Sequence, residues 1–362
     1  MKLTIQTFGL LLLLTSVQIA FGQSNQEKAL VKGQQAIQLE DEGKMDEAIP
    51  LLEEAQKLDP SNFNYPYELA YAYYAKADYK KAIKYLESIL KFEGINDRVY
   101  QLLGNSYDNI GKSEKAIETY EDGLKKFPEA GSLYLELGAV QIGKKNYDKA
   151  LGYYEKGIEV DPKFPSNYYW AAKLYCNSEE EVWGMMYGEI FMNLERNTKR
   201  TSEISKLLFD IYKSEIKFTS DTSFSVSFSQ NASINVEALK DPGKMKLPFG
   251  IGVYEPALMF SVLPVTTINP NTLDSIRTRF VDHYFKNGHD KTYPNILFSY
   301  QKQIKDAGHL EAYNHWILLK GDEDAFDKWH AGNKEKWDAF IQWFKSNKIQ
   351  IDEAHKFYSG QY

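Results

Sequence analysis

The sequence predicts a mainly α fold: an α-solenoid of helix-turn-helix pairs, followed by a mostly helical C-terminal domain with a small β element. Three observations predict it. Ala48, Ala82, Ala116 and Ala150 recur every 34 residues without slippage, each inside a block such as Met45-Asp46-Glu47-Ala48-Ile49 or Tyr147-Asp148-Lys149-Ala150-Leu151. Twelve residues after each alanine stands a helix stop: Pro60, Gly94, Pro128 and Pro162 in turn. Beyond Lys217 the pattern changes, first to strict alternation and then to helical runs separated by Gly288, Gly308 and Gly321.

Taken in order, residues 1–22 read as a signal peptide. Lys2 gives a positive start, an apolar stretch runs from Phe8 to Ala20, and Ala20-Phe21-Gly22 places small residues where a signal peptidase cleaves, before Gln23. The expectation is an exported chain, periplasmic or secreted. The abundance of Lys, Asn, Ile and Tyr points to a bacterial source. That stretch falls short of the roughly 20 residues of a spanning helix, and no run in the remaining chain reaches that length. The formal net charge of −7 favours solubility and argues against a general binder of phosphate backbones. Cys176 is the only cysteine, so no intramolecular disulfide can form and packing alone must hold the fold.

The periodic part divides into units at 29–62, 63–96, 97–130 and 131–164. Twelve residues before each alanine comes another small residue, Ala36, Ala70, Gly104 and Gly138. Small side chains at fixed places on both helices let their backbones approach, while Leu69, Leu103, Leu137, Tyr73 and Tyr107 fill the space between. A helical pair of 34 residues with this pattern resembles the tetratricopeptide repeat family, and the resemblance covers these four units. A degenerate fifth unit at 165–200 follows, with Tyr168, Ala171, Ala172 and Tyr175 on its first helix and the bulky run 182–188 on its second. It completes the repeat domain, 23–200, as a terminal unit covering the stacked core. A bridging helix at about 201–217 carries Leu207, Leu208, Ile211 and Tyr212 on one face.

The resemblance implies that the first helices line a concave face that takes a peptide or protein segment. By position, that face includes Asn64, Tyr67, Tyr71 and Tyr74 from the second unit. Arg98, Gln101, Asn105, Asp108 and Asn109 come from the third. The fourth offers Ser132, Leu135, Glu136 and Ala139, and the fifth Tyr169, Trp170 and Lys173. Rings give flat contact area, and amides pair with an extended backbone. One branch of the family grips a partner's C-terminal carboxylate with Lys, Arg and Asn. Here Gln101, Glu136, Ser166 and Trp170 stand where that clamp has Lys, Asn, Lys and Arg, so a chaperone-tail adaptor is not expected.

In the C-terminal domain, 218–362, Phe224, Val226 and Phe228 alternate with serines as in a half-buried strand, with Ile234 and Val236 as a short return strand. Residues 240–252, rich in Gly and Pro, read as loop. Helical patterns follow at 254–263, 272–286, 293–307, 310–319 and 322–346. All six histidines and four of the six tryptophans lie here. His309 and His315 are six apart and so on different faces of a helix, and no His-Glu-x-x-His pattern occurs. The histidines read as helix-face or capping residues, and Trp337, Phe340, Ile341, Trp343 and Phe344 as core. No nucleophile elbow, phosphate-binding loop or dinucleotide fingerprint is present. The resulting expectation is a non-enzymatic scaffold with a protein or peptide partner, no cofactor, no metal and no nucleic acid. Two rivals stay open. One is an enzyme with an unrecognised C-terminal chemistry; the other is a carbohydrate- or cell-wall-binding module using the tryptophans.

Overall fold

The computed structural model describes residues 24–220, 223–230 and 247–362. The expected signal peptide, its cleavage point and the return strand at Ile234 and Val236 lie outside the described residues. The chain forms two compact units, one ending at Ile95 and the other running from Asn96 to Tyr362.

The first unit contains two helix pairs, α1 (Asn25–Asp41) with α2 (Met45–Leu58) and α3 (Asn64–Ala75) with α4 (Tyr79–Ile89). Ser24 starts α1 through a reciprocal cap: Ser24 Oγ accepts from the Glu27 amide at 3.1 Å, and the Ser24 amide donates to Glu27 at 2.8 Å. The repeating alanines are the contact points. Ala29, Ala36, Ala48 and Ala55 pack with Leu52, Tyr65 and Leu69 into the unit's core.

The second unit continues the same pattern with α5 (Asp97–Asn109), α6 (Ser113–Lys126), α7 (Gly131–Gly143), α8 (Tyr147–Val160), α9 (Pro165–Tyr175) and α10 (Glu181–Leu194). In the four regular pairs the turn between helices is the same object. Gly43, Ala77, Gly111 and Lys145 all have φ between +59° and +77°. Lys44, Asp78, Lys112 and Asn146 then donate back to the carbonyls of Leu39, Tyr73, Tyr107 and Gln141 at 2.8–2.9 Å. That left-handed position with its returning hydrogen bond closes the first helix of each pair. Two of the four positions have the glycine that such a conformation favours, and two do not.

After α10 comes α11 (Lys199–Glu215), capped by Thr198, which accepts from the Thr201 amide. It starts two residues before the expected position because Thr198, not Thr201, is the cap. It leads directly into β1 (Ile216–Ser220), which pairs antiparallel with β2 (Ser223–Val226). The strand expected around Phe224 therefore exists, and among the described residues its partner is the strand before it: Ile216 faces Val226 and Phe218 faces Phe224.

The remaining helices are α12 (Glu255–Val262), α13 (Pro270–Lys286), α14 (His289–Thr292), α15 (Ile296–Asp306), α16 (Leu310–Leu318), α17 (Glu323–Gly332) and α18 (Lys334–Ser346). Two expectations are corrected. The loop at 240–252 ends early, because residues Gly250–Tyr254 form a widened π-type turn that runs into α12. Gly250 is a packing glycine there, since a Cβ would lie 2.3 Å from Ser229 Cβ. The single helix at 322–346 is two helices, broken where Asn333 leaves the helical conformation at φ −130° and its side-chain amide turns back to the Trp329 carbonyl at 2.9 Å.

One hydrophobic core runs from Ala150 through α9, α10 and α11 to Phe357. Helix α10 is buried all round, from Val182 to Asn193. Its one buried charge, Glu189, meets Arg277 of α13 in a two-pronged ion pair at 2.9 and 2.6 Å. Gln301 of α15 and Tyr313 of α16 also donate to Glu189, at 2.6 and 2.9 Å, and Arg277 Nε donates to Asn314 at 2.7 Å. Every lobe of that pair is engaged, which is the condition for burying charge at tolerable cost. The tryptophans join this core or pack on it, as expected. Near its end the chain returns to α10, placing Phe357 against Trp183 and Tyr187 and Tyr362 against Trp183 and Phe249.

Candidate peptide-binding surface

Helical spacing sets which residues the first helix of each pair turns outward, and the two units treat that face differently. In the first unit it is open. On α1, Leu30 and Ile37 are 54% and 44% exposed, and on α3 Tyr71 is 42% exposed. Between the helices lies a groove of about 170 Å³, walled by Leu30, Gln34 and Ile37 on one side and Asn64 and Glu68 on the other. Its floor is tight: Gly33 meets the Tyr65 ring so closely that a Cβ would stand 2.7 Å from Cε1. Asn64 is exposed, its amide held by Asn62 at 3.1 Å. Tyr67 is half-buried, and Tyr74 packs edge-on against Tyr79 at 5.3 Å.

In the second unit the same face is tied to itself. Gln101 donates to Glu136 at 2.8 Å, and Ser132 to Asp97 at 2.7 Å. The Asn105 amide, oriented to satisfy its neighbours, donates to Glu136 at 3.2 Å and to the Gln101 carbonyl at 3.3 Å. Burial pushes the Glu136 carboxyl up, and the Gln101 and Asn105 hydrogen bonds oppose that shift. Asn109 donates to the Asn105 carbonyl at 2.8 Å, Asp108 accepts from Ser113 at 2.5 Å, and Arg98 is exposed. Tyr169 is only 6% exposed, with its hydroxyl on Glu203 at 2.6 Å. Lys173 joins the same carboxylate at 2.6 Å and lies 5.0 Å from the Tyr169 and Trp170 ring centres. The structure thus gathers Gln101, Asn105 and Glu136 into one cluster and Tyr169 and Lys173 into another.

Three of these bonds, Gln101–Glu136, Ser132–Asp97 and Tyr169–Glu203, join residues 35, 35 and 34 apart, so they are rungs between corresponding turns of successive first helices. The rungs extend to α11: Arg200 donates to Ser166 at 3.0 Å, 34 residues away, as Tyr169 does to Glu203. Helix α11 therefore stands where the first helix of a sixth pair would. In place of a second helix it is covered from α16 and the turn after it, where Lys320 donates to Ser205 at 3.0 Å and Gly321 abuts the Phe209 ring. Sequence reasoning read α11 as a bridge. The 34-residue spacing from Ser166 to Arg200 was the signal available for its true position.

Residues 39–105 and 102–167 each match the profile of the tetratricopeptide repeat. Residues 39–167 are tetratricopeptide repeats. Among curated proteins, it is 38% identical over 68 residues to tetratricopeptide repeat protein 21B of Homo sapiens, covering 19% of this chain and 5% of that one. It is 26% identical over 112 residues to Hsp70-Hsp90 organizing protein 3 of Arabidopsis thaliana, covering 31% and 20%. The tetratricopeptide chain thus spans a fifth or less of these relatives. A solved structure of PilF from Pseudomonas aeruginosa is 21% identical, with a TM-score of 0.45 over 53% of this chain and 86% of that one.

Chemistry beyond binding finds few prepared groups. Among the described residues, no three or more His, Cys, Asp or Glu side chains are grouped to hold a metal ion. Cys176 is buried and its thiol is pushed up by burial and by Glu181. His315 stacks on Trp329 at 4.1 Å, and burial lowers its pKa to about 4. Among the described residues no helix is long and apolar enough to cross a membrane.

Proposed function

We propose that this tetratricopeptide protein is exported and helps assemble or organise envelope or secreted proteins, holding a partner segment on the first-helix face of its repeats. Export is read from Lys2, the apolar stretch to Ala20 and the small residues at Ala20 and Gly22. The observation that carries the binding site is the open face of the first unit, where Leu30 and Ile37 stay exposed along a groove and Tyr71 is exposed on α3. Exposed apolar side chains beside a concavity are what a partner's side chains cover. Within the first unit Asn64, Tyr67 and Tyr74 serve as secondary contacts on this reading; the second unit has its own set, Arg98, Gln101, Asn105, Asp108, Asn109, Tyr169 and Lys173.

The test is affinity capture of the full chain from its own cells, in parallel with Ile37→Asp and Tyr71→Ala. A partner retained by wild type and lost from both variants supports the site. A partner that stays on both variants removes it. Recovery of the chain from the cytoplasm with Met1 still in place refutes the export half.

A further inference from the structure

Helix α12 is apolar on both faces but covered on only one. Ala257, Leu258, Ser261 and Val262 are buried. On the other side Met259, Phe260 and Leu263, which share a face at helical spacing, are 45%, 58% and 61% exposed. Single exposed apolar residues are ordinary, but three together on one helical turn form a patch that marks an interaction surface. Beside it runs a face of α13 where Arg279, His283 and Lys286 stand at i, i+4 and i+7, and so form one row. The row is fixed to the patch at two points. Arg279 Nε donates to the Ser261 carbonyl at 2.8 Å, and the His283 ring centre lies 5.8 Å from that of Phe260. Arg279 Nη2 is buried without a hydrogen-bond partner. The nearby acids are engaged elsewhere. Asp274 accepts from Asn314 at 2.8 Å, Asp282 is paired with Lys305, and Glu255 holds the Phe228 and Ser229 amides at 2.5 and 2.9 Å.

We propose that this α12–α13 face docks an acidic amphipathic helix of a protein partner, on a surface separate from the groove of the first unit. The partner's aliphatic row covers Met259, Phe260 and Leu263, and carboxylates on its adjacent row pair with Arg279, His283 and Lys286. The occupant follows from charge complementarity: a row of basic side chains that no neighbouring acid pairs with favours Asp and Glu and rejects Lys and Arg. The apolar and basic rows run side by side for about two helical turns, the footprint of one helix lying on a hairpin of two. An anionic bilayer is disfavoured because the whole chain has a net charge of −7. A second copy of this chain, docked by the same face, would bring two basic rows together.

The experiment is an array of helical peptides probed with the purified full chain, followed by fluorescence anisotropy. All share leucines at i, i+3, i+4 and i+7, and three series place Glu, Gln or Lys beside that row. The Glu series should bind at least tenfold more tightly than the Lys series, with the Gln series between. A chain of net charge −7 attracts cationic peptides in general, so a preference for Glu is diagnostic. Phe260→Ser and Leu263→Ser should each weaken the Glu series at least tenfold while melting as the wild type does. Lys286→Glu should cut the preference for Glu over Lys at least threefold, whereas Lys328→Glu, at an exposed lysine of α17, should leave it unchanged. Equal binding of the Glu and Lys series, or a preference that survives both Phe260→Ser and Lys286→Glu, overturns the inference. It is overturned equally if none of the peptides binds. Self-association, or flotation on phosphatidylglycerol vesicles, that disappears in Phe260→Ser then assigns the face to a second copy or to lipid. Ile37→Asp and Tyr71→Ala should leave the Glu series bound, so failure of the first-unit site and failure of this one are read separately.

Discussion

Gly138 and Tyr154 form a matched pair, and the chain contains its own control for what happens when the match is changed. A Cβ built on Gly138 would lie 2.2 Å from Tyr154 Cε1 and 2.6 Å from Cζ. Ordinary contact begins near 3.4 Å, so the ring would have to retreat by about 1.2 Å. It has no room: Tyr154 is fully buried and stacked on Trp170 at 6.4 Å. Overpacking of this kind costs about 1–3 kcal/mol, and an overlap above 1 Å with a rigid ring belongs at the upper end. Alanine recovers up to about 1 kcal/mol of helix propensity over glycine. Gly138→Ala should therefore destabilise the second unit by about 2 kcal/mol. The equivalent positions in the first unit hold Ala36 with Leu52 and Ala70 with Leu86, a larger first residue beside a smaller second one. Tyr154→Leu should consequently rescue Gly138→Ala, the more readily because the Tyr154 hydroxyl is buried without a partner. The assay is a double-mutant cycle by urea denaturation, read by tryptophan fluorescence. All six tryptophans lie beyond Asn96, so the signal reports the second unit. A favourable coupling of about 2 kcal/mol is expected. Gly152→Ala, with open space around its would-be Cβ, should gain about 0.5–1 kcal/mol. Additivity of the Gly138 and Tyr154 changes within about 0.5 kcal/mol would refute the reasoning.

Lys145 holds a left-handed turn at φ +60° that Gly111 fills in the preceding pair, so Lys145→Gly should stabilise by about 0.5–1 kcal/mol in the same urea assay. Removing the charge from Arg277 leaves Glu189 buried and unpaired: Arg277→Met should cost about 3–5 kcal/mol, and adding Glu189→Gln should return much of it. His315 has a folded pKa of about 4, below its ordinary 6.5, so its contribution to stability is complete above pH 6.5 and is lost as the pH falls toward 4. That loss is roughly 2–3 kcal/mol, and His315→Phe, which keeps the stack on Trp329, should show a correspondingly smaller fall in melting temperature between pH 7 and pH 4.5.

What the sequence made legible is what local spacing dictates. Alanines 34 apart must lie at equivalent points of equivalent helix pairs, and each of Ala48, Ala82, Ala116 and Ala150 is fully buried where a neighbouring helix crosses. The paired-helix fold and the core roles of Phe340 and Phe344 follow from the same periodic logic. Pairings between distant residues were not legible. Nothing within the run 182–193 announces that Glu189 meets Arg277, 88 residues away. The partner of β2 was missed because Leu208, Ile211 and Tyr212 continue a helical period up to Ile216, hiding the point where the chain turns extended. The first-helix face was legible as a set of positions and not as a surface. Equivalent positions became an open groove at Leu30 and Ile37 and a closed ladder at Gln101 and Glu136, a difference made by which neighbours supply hydrogen bonds.

The position of α11 gives the C-terminal region a physical purpose that needs no chemistry of its own. A stack of helix pairs must end, and its last pair exposes an apolar face unless something covers it. In this chain α10 is buried on every side, from Val182 through Met192, and all but Glu189 of its large side chains are apolar or aromatic. Helix α11 covers part of it as a further first helix, and α13, α15 and α16 cover the rest, with Glu189 and Arg277 fixing the register. The residues near Phe357 and Tyr362 close the remaining side over Trp183. A chain cut after Leu194 would expose Met185, Met186, Ile190 and Phe191 together, a patch that proteins seldom tolerate. Repeats prepared without residues 195–362 should therefore bind a dye that reports exposed apolar surface, and the longer chain should not.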